Sequence, residues 1–383
     1  MTEGPYKLPE GWRWVRLGEI AWRESVTLKP SDYPDLVFRY LGMEHVAPGQ
    51  WDEPMPVEIP GREIKSQVIV YRPGLILYGK LRPYLNKVVV PSTEGVASTE
   101  FVPIAVNEKV VESHYLAAYL RSPAFVAYAT QNTTGSRQPR VRLDALWNAL
   151  IPLPPLEEQR RIVARVEELM SRIREAKRLR QEAKEEAERL WRSILSETFP
   201  KPGTELPEGW RWVRLGEVFR LKNGKFIRAG ELKSEGKVPV YGSNGLLGFT
   251  AIPLLMEGRT IVIGRVGACG AVNVVNAPCW ISDNAMFVAE WFIECDIEYI
   301  ALSLHNIDFS SFVKKGAQPS ISQEVVYNAP IPLPPLEEQR RLVAYLQDVQ
   351  EKIRNLKEVQ AQTEAELKRL EQAILDKAFR GEL

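Results

Sequence analysis

Two stretches of the chain, 156–199 and 336–379, have apolar residues spaced alternately by three and four. On the first stripe lie Ile162, Val166, Leu169, Ile173, Leu190 and Ile194, and on the second Leu342, Leu346, Val349, Ile353, Leu367, Leu370 and Ile374. A 3.5-residue period predicts long helices that pair through a coiled-coil seam. Polar residues interrupt both stripes near the middle, Arg180 in the first and Gln360 and Thr363 in the second. Antiparallel pairing of the helices would bring these polar residues together.

The segments before these helices, 8–150 and 206–330, have a different pattern, with short apolar runs separated by turn residues. Val68–Tyr71 and Thr260–Ile263 are such runs and predict strands. A helix is predicted over Tyr115–Tyr128. Each segment is therefore predicted to be a mixed domain of strands and a few helices.

Two motifs occur twice in the chain and in the same order. LPEGWRWVRLGE at Leu8–Glu19 recurs at Leu206–Glu217, and IPLPPLEEQRR at Ile151–Arg161 recurs at Ile331–Arg341. The repeats indicate a tandem duplication in which the domain interiors have diverged. In the second motif, the Pro-Pro pair is predicted to end a strand and begin a helix, and the two Glu residues suit the positive end of that helix.

These patterns predict an α+β fold with two mixed α/β domains separated by two long antiparallel coiled-coil helices, and a pseudo-two-fold internal repeat. The predicted boundaries are 1–155 for the first domain, 156–200 for the central helix, 201–335 for the second domain and 336–383 for the C-terminal helix. Equivalent helices of two similar units run antiparallel when a perpendicular two-fold axis relates them.

The balance of charge restricts any nucleic-acid surface to local patches. Lys and Arg number 50 and Asp and Glu number 49, a net charge of +1, which excludes a protein coated with positive charge. No apolar run is long enough to span a membrane, and no signal peptide is recognisable, so we expect a cytoplasmic protein. The three cysteines lack the spacing of a zinc site, so they are expected to be reduced and buried, and no metal site is predicted.

Four stretches free of acidic residues, 64–93, 113–143, 218–230 and 309–323, concentrate the positive charge. Lys and Arg make phosphate contacts, whereas Arg, Asn and Gln can pair with base edges. In the first domain the candidate DNA-contacting residues are Lys80, Arg82, Tyr84, Asn86, Lys87, Arg137, Gln138, Arg140 and Arg142. In the second domain they are Lys222, Asn223, Lys225, Arg228, Ser243, Asn244, Arg265, Lys314, Lys315, Gln318 and Ser320.

Two of these segments occupy matched places just before the Pro-rich motif, Gly135–Val141 and Gly316–Ile321. Glycine permits close approach of the backbone to a ligand, and the Gln-Pro that follows favours a rigid extended corner. Each segment taken alone could equally be an ordinary basic surface loop, but their recurrence favours a shared role. Tyr241–Gly245 is either a DNA-facing loop or a simple hairpin turn.

At these motifs the sequence resembles the specificity (S) subunit of Type I restriction–modification enzymes. The closing segment Ala373–Leu383 and the segment Gly79–Tyr84 also carry this resemblance. It implies two target-recognition domains, each reading one half of a bipartite asymmetric DNA site. It also implies that the helices set the spacer and dock two DNA methyltransferase subunits, with S-adenosylmethionine on those partners and no cofactor in this chain. The resemblance further implies that two motor/nuclease subunits join for restriction.

The resemblance places Gly135–Val141 and Gly316–Ile321 near the DNA. The first copy has one extra residue between its Gly and its Gln, which departs from position-by-position equivalence of the loops.

Two other functions remain to be separated from this one. A DNA methyltransferase or nuclease in its own right would need a cofactor pocket or an acidic cluster, and an adenine methyltransferase needs an Asn/Asp-Pro-Pro-aromatic segment. The Pro-Pro pairs here follow Leu153 and Leu333 instead. A coiled-coil scaffold without a DNA role would show no salt-dependent DNA binding.

Overall fold

The computed structural model describes residues 4–309 and 319–383. The chain divides into two compact units, Met1–Arg180 with Ala361–Leu383, and Gln181–Gln360. Each long helix contributes to both units. We use "domain 1" and "domain 2" for the described residues of 1–155 and 201–335.

Domain 1 contains short strands and helices followed by one long helix. Its strands are β1 Arg13–Arg16, β2 Ala21–Arg23, β3 Val26–Leu28, β4 Val37–Leu41, β5 Val57–Pro60, β6 Val68–Tyr71, β7 Ile76–Gly79, β8 Val88–Val89, β9 Gly95–Ser98, β10 Phe101–Val106, β11 Thr133–Thr134, β12 Arg140–Val141 and β13 Leu150–Leu153. Its helices are α1 Leu17–Ile20, α2 Ser113–Leu120, α3 Pro123–Gln131 and α4 Leu143–Asn148, and α5 Leu156–Thr198 follows. Single 3-10 turns form at Pro30–Asp32, Met43–His45, Gly61–Glu63 and Pro83–Leu85.

Domain 2 repeats much of this order. Its strands are β14 Arg211–Arg214, β15 Phe219–Asn223, β16 Val238–Gly242, β17 Gly245–Thr250, β18 Arg259–Gly264, β19 Val272–Asn276, β20 Trp280–Ile281, β21 Ala285–Trp291 and β22 Pro330–Leu333. Its helices are α6 Leu215–Val218, α7 Ile297–His305 and α8 Gln323–Asn328, a 3-10 turn forms at Ala229–Glu231, and α9 Leu336–Arg380 follows.

The sheets of the two domains correspond. A four-stranded sheet has the order β2-β10-β7-β8 in domain 1 and β15-β21-β18-β19 in domain 2. Beside it lies a second sheet, with the order β3-β6-β9-β4-β5 in domain 1 and β17-β16-β20 in domain 2. In both second sheets one pair is parallel, β4 with β9 and β16 with β20. The predicted mixed fold with an internal repeat is therefore confirmed.

The two repeated sequence motifs pair with each other. Strand β1 lies antiparallel to β13 with Trp14 opposite Pro152, and β14 lies antiparallel to β22 with Trp212 opposite Pro332. Each pair joins the first and last strands of a domain, and the Pro-Pro dipeptide that follows ends the last strand before the long helix. The repeated motifs are thus the closure of each domain, which explains why they persist while the interior differs.

The predicted strands are confirmed, since Val68–Tyr71 is β6 and Thr260–Ile263 lies within β18. A single helix over Tyr115–Tyr128 is wrong, because α2 ends at Leu120 and α3 begins at Pro123. Proline disfavours helical geometry in the residue before it. Ser122 accordingly has extended geometry, and its side chain accepts a hydrogen bond from the Phe125 amide as an N-cap.

The long helices begin and end close to their predicted positions, and they pack antiparallel within each unit. In unit 1, Lys177 pairs with Glu371 at 2.7 Å, whereas Arg161, earlier in α5, donates to the carbonyl of Leu383 at 3.1 Å. In unit 2, Lys357 pairs with Glu188 at 3.3 Å. Arg180, expected beside Gln360 and Thr363, forms an ion pair with Glu364 at 3.7 Å.

The residues predicted to form the coiled-coil interface between the long helices differ in burial. Ile162, Val166, Ile173, Leu346 and Ile374 are buried, and Leu169, Ile194, Leu342, Val349, Ile353 and Leu367 are partly buried. Leu190 and Leu370, however, are 53% and 49% exposed, so their assignment to the seam is wrong. Further along the same stripes, Ile374 joins the core of unit 1 and Ile194 packs against that of unit 2, because domain residues cover the helices there. Ala187 and Leu195 are also buried in α5.

The ends of the long helices enter the domain cores. Phe379, near the end of α9, packs against Tyr115 of α2 with ring centroids 5.5 Å apart. Phe199, just after α5, packs in the same way against Tyr299 of α7 at 5.4 Å. Both phenylalanines are almost completely buried. No helix within the described ranges is both long enough and apolar enough to cross a bilayer.

Candidate nucleic-acid interface

Three segments of domain 1 meet just beyond the end of β7, at a place that we call seam 1. The Lys80 amide donates to the carbonyl of Glu100 at 3.0 Å, and the Lys80 carbonyl accepts from the Val141 amide at 3.0 Å. The Arg82 amide donates to the carbonyl of Pro139 at 2.7 Å. The segments 80–82 and 139–141 belong to different acid-free stretches, so the fold joins their positive charge in one surface.

Domain 2 builds the same arrangement just beyond the end of β18, and we call it seam 2. The Arg265 amide donates to the carbonyl of Asn284 at 2.9 Å, and the Arg265 carbonyl accepts from the Ile321 amide at 3.0 Å. The Gly267 amide donates to the carbonyl of Pro319 at 3.1 Å. Every backbone bond of seam 1 thus has its equivalent in seam 2.

The basic residue in the middle of each seam also makes the same side-chain bond. Lys80 Nζ donates to the carbonyl of Thr99 at 2.8 Å, and Arg265 Nη1 donates to the carbonyl of Asp283 at 3.1 Å. Lys80 and Arg265 are therefore structural equivalents. The sequence alone matches only Gly135–Val141 with Gly316–Ile321, because the segments that follow β7 and β18 share too few residues to be aligned.

Both seams turn through a residue in the left-handed region, Arg82 with φ of 51° and Gly267 with φ of 80°. Glycine adopts this conformation freely, but arginine does so at a cost of about 1–2 kcal/mol. Asn86, at the other end of the short turn after Arg82, also has a positive φ of 50°. Strain of this kind in non-glycine residues often marks a functional surface.

The candidate residues of domain 1 fall into two groups. Arg82, Tyr84, Arg137, Gln138 and Arg142 have exposed side chains at or near seam 1. Asn86 and Lys87 instead serve the domain itself, because Asn86 Nδ2 donates to the carbonyl of Arg121 at 2.9 Å and Lys87 Nζ to that of Met43 at 2.7 Å. Burial lowers the pKa of Lys87. DNA contact by any of these residues stays a prediction.

Arg140 lies at the edge of seam 1 and is paired with Glu100, a residue that sequence reasoning missed. Its Nε donates to Glu100 Oε2 at 3.0 Å and its Nη2 to Glu100 Oε1 at 2.7 Å. The hydrogen bond from Arg140 is the main cause that lowers the pKa of Glu100. A search for stretches free of acidic residues could not find Glu100, since it lies outside them.

In domain 2, Lys222 and Asn223 lie on β15, and Lys225 and Arg228 follow it, all with exposed side chains. Asn223 Oδ1 accepts a hydrogen bond from Gln323 at 3.0 Å. These residues form a basic edge on domain 2, and their contact with DNA stays a prediction.

Tyr241–Gly245 is a hairpin turn, with Ser243 and Asn244 between β16 and β17. The turn packs on the end of β18, where a side chain at Gly264 would collide with the Ser243 carbonyl at 2.5 Å. Ser243 therefore lies beside seam 2. Ser320 forms a bridge with Val266 within the seam. Lys314, Lys315 and Gln318 lie outside the described residues.

The described residues contain no group of three or more His, Cys, Asp or Glu side chains placed to hold a metal ion. The three cysteines are free thiols. Cys279 is buried, as expected, whereas Cys269 and Cys295 are partly exposed. Burial raises the pKa of Cys279 and raises that of Cys295 to about 12, so neither thiol is activated.

The duplicated domains correspond to two copies of one known protein domain. The family described as "Type I restriction modification DNA specificity domain" matches residues 84–185 and again residues 207–365, which together make up more than half of the chain. The chain therefore belongs to the family of Type I restriction–modification DNA specificity proteins.

Individual relatives agree with this assignment. The EcoDI specificity subunit of Escherichia coli is 28% identical over 204 residues, an alignment that spans 53% of this chain and 44% of that protein. The chain thus spans less than half of this relative. The MjaVIII specificity subunit of Methanocaldococcus jannaschii is 23% identical, with 98% of this chain and 94% of that protein covered.

Solved structures match over the whole chain. The HsdS subunit of Thermoanaerobacter tengcongensis is 38% identical with a TM-score of 0.61, and 100% of both chains is covered. A chain from a structure on complex assembly and conformational transition of the type I restriction–modification system is also 38% identical. Its TM-score is 0.84, with 99% of this chain and 100% of that chain covered.

Proposed function

We propose that this chain is the DNA-recognition subunit of a Type I restriction–modification complex and has no catalytic activity of its own. Each domain reads one half of a bipartite, asymmetric site. The observation that carries this proposal is the pair of seams, which share their backbone hydrogen bonds and differ in their surface side chains. One scaffold built twice with different surfaces is what two unlike half-sites require.

The exposed positive charge of the two domains supports duplex DNA as the ligand. Arg82, Arg137 and Arg142 are exposed around seam 1, and Lys222, Lys225 and Arg228 are exposed on domain 2, in a chain with a net charge of only +1. Local clusters of Lys and Arg supply phosphate contacts, and Arg, Asn and Gln beside them supply base-edge contacts.

The partners that we propose are two DNA methyltransferase subunits, which carry S-adenosylmethionine, and motor/nuclease subunits for restriction. The family to which the chain belongs supports their presence. So does a similar chain that comes from a structure on complex assembly of the type I restriction–modification system. The two long helices set the spacer between half-sites and dock the methyltransferases. In support, each helix contributes to both compact units, and a 43-residue helix is about 65 Å long.

A direct test is to express the chain with its cognate methyltransferase subunits and to sequence the methylated adenines in the host DNA. We expect one asymmetric motif of two defined parts separated by an undefined spacer. Arg137→Ala should weaken methylation through one half only, because Arg137 belongs to domain 1. Binding to a duplex that carries the motif should fall steeply with salt, as phosphate contacts require.

Two results would refute the proposal. Methylation without a bipartite motif, or an equal effect of Arg137→Ala on both halves, contradicts modular reading. Transfer of labelled methyl groups to DNA by the purified chain alone would show that it is a methyltransferase in its own right.

A further inference from the structure

The guanidinium group of Arg140 has two edges that can each make a pair of hydrogen bonds, and Glu100 occupies one of them. Nε and Nη2 donate to the two carboxylate oxygens at 3.0 and 2.7 Å, a bidentate geometry that fixes the plane of the group. Backbone hydrogen bonds hold both residues in seam 1, because Lys80 bonds to the backbone of Glu100 and of Val141, next to Arg140. The arginine side chain is therefore preorganised.

The second edge, Nη1 with Nη2, is covered only loosely. Nη1 donates to the carbonyl of Gln138, and Nη2 donates to Gln138 Oε1, both at 3.3 Å. These bonds are longer than the usual 2.9–3.0 Å or so of N–H···O bonds, and the Gln138 side chain is exposed. An incoming pair of acceptors can replace them. Guanine presents such a pair, O6 and N7, in the major groove, and arginine is its commonest partner.

Seam 2 has different side chains at the two equivalent positions. Leu81 bridges to Arg140 in seam 1, and Val266 bridges to Ser320 in seam 2, so Ser320 takes the place of Arg140. Asn284 takes the place of Glu100, because its carbonyl accepts the equivalent amide bond. Seam 2 therefore has neither the cation nor its carboxylate at this place, although the backbone is the same.

We propose that Arg140 reads a guanine in the half-site of domain 1, that Glu100 is its positioning residue, and that Asn284 and Ser320 are the corresponding specificity-determining residues of domain 2. The inference rests on the proposed function and adds to it the residues of each domain that select a base. In this reading Gln138 covers the outer edge of Arg140 in the free protein and moves aside when guanine binds.

The test uses the full chain assembled with its methyltransferase subunits and a pool of random-sequence duplexes, from which bound molecules are recovered and sequenced. The wild-type complex should select a bipartite motif with a G·C pair in one half. Arg140→Ala should reduce selection at that pair by about 10-fold, the usual value of one bidentate base contact. All other positions should stay unchanged. Arg140→Lys, which keeps the charge but loses the planar fork that pairs with Glu100 on one edge and guanine on the other, should weaken the same preference.

Glu100→Gln separates positioning from a merely structural role. The variant removes a negative charge near the DNA, so its overall affinity for random duplex DNA should stay equal or rise. Its preference for guanine should nevertheless fall several-fold, because a neutral amide holds the guanidinium less firmly. A residue needed only for folding would lower affinity and preference together.

The chain offers a matched control in another bidentate pair of domain 1. Arg72 Nε and Nη2 donate to the two carboxylate oxygens of Glu24, both at 2.9 Å, away from seam 1. Glu24→Gln should leave every base preference as it is in the wild type. The other half of the motif serves as an internal control for folding in each variant.

The outcomes are distinct. A wild-type complex that selects no motif refutes the proposed function itself. A wild-type motif that Arg140→Ala and Arg140→Lys leave unchanged, or that they abolish in both halves, overturns the guanine assignment alone. A preference that Arg140→Ala removes but Glu100→Gln preserves overturns the positioning role of Glu100. Finally, the double substitution Asn284→Glu with Ser320→Arg should create a new guanine preference in the other half, and no change there would contradict the equivalence of the seams.

Discussion

Removal of the Gln159 side chain should destabilise unit 1 more than any surface substitution on the same helix. Gln159 comes from the repeated Pro-rich motif, lies in the first turns of α5 and is fully buried. Its Oε1 accepts from the Glu112 amide at 2.8 Å, and its Nε2 donates to the carbonyls of Val110 and Pro154, both at 2.9 Å. One side chain thus joins the long helix α5, the loop before α2 and the residue that follows β13.

The magnitude follows from these three bonds. Gln159→Ala leaves the buried carbonyl of Pro154, the partly buried carbonyl of Val110 and the partly buried amide of Glu112 without their partner. Each unsatisfied buried group costs about 1–3 kcal/mol, and water that enters the vacated space recovers part of this. We therefore expect a loss of about 3 kcal/mol, a substantial fraction of the roughly 5–15 kcal/mol that stabilises an ordinary domain.

Urea unfolding and amide hydrogen exchange of the full chain measure this prediction. Gln159→Ala should lower the free energy of unfolding of unit 1 and should speed exchange in peptides that contain Glu112. Gln339→Ala is the matched variant in unit 2, because Gln339 accepts from the Asp296 amide at 2.8 Å and donates to Pro334 at 2.9 Å. The exposed Gln181, bonded to Glu185 of its own helix, is the control, and its replacement by Ala should change stability by less than about 0.5 kcal/mol.

A loss below about 1 kcal/mol for Gln159→Ala, the net value of one ordinary hydrogen bond, would refute this reasoning. So would faster exchange that is spread equally over both units, since the bonds of Gln159 all lie in unit 1.

Two further predictions concern the helix ends and pH. Phe379→Ala removes a buried ring that packs on Tyr115, so it should cost unit 1 about 4 kcal/mol in urea unfolding, and Phe199→Ala should act in the same way on unit 2. A hydrogen bond to Glu112 raises the pKa of His114 above its ordinary value of 6.5. Protonated His114 therefore stabilises the fold below pH 6.5. This stabilisation is lost as the pH rises through the raised pKa. The stability difference between wild type and His114→Gln should therefore be larger at about pH 5.5 than at about pH 8.5, and the opposite trend would contradict the ion pair.

The long helices and the duplicated domain order could be predicted from sequence because they depend on local patterns. A heptad stripe, a Pro-Pro break and repeated motifs each act over a few residues, and they located the long helices and the duplication. The predictions failed where the burial of a residue depends on neighbours that are distant in sequence. Leu190 and Leu370 continue the stripe in sequence, but whether a position on the helix surface is covered depends on which residues of other elements pack there, as they do at Ile374.

The candidate site was predictable only in part, for a related reason. Positive charge free of acidic neighbours could be read from the sequence and led to Arg137, Gln138 and Arg140. The equivalence of Lys80 and Arg265 depends on backbone bonds to residues far along the chain, such as Glu100 and Val141. Glu100 was missed because a search for basic stretches treats every carboxylate as unfavourable, whereas this carboxylate bonds to Arg140 and fixes its side chain.

On the proposed function, the arrangement of the two seams would let such a protein change the DNA that it reads without losing its fold. Apart from the side-chain bonds of Lys80 and Arg265, the equivalent bonds of the two seams join backbone groups and do not depend on the side chains present. An exchange such as Arg140 for Ser320 therefore alters the surface and leaves these bonds intact. Gln159 and Gln339, in contrast, use their side chains to bond the backbone, so substitution there costs stability. This difference agrees with a duplicated chain in which the motifs that close each domain are repeated residue by residue and the side chains of the seams are not.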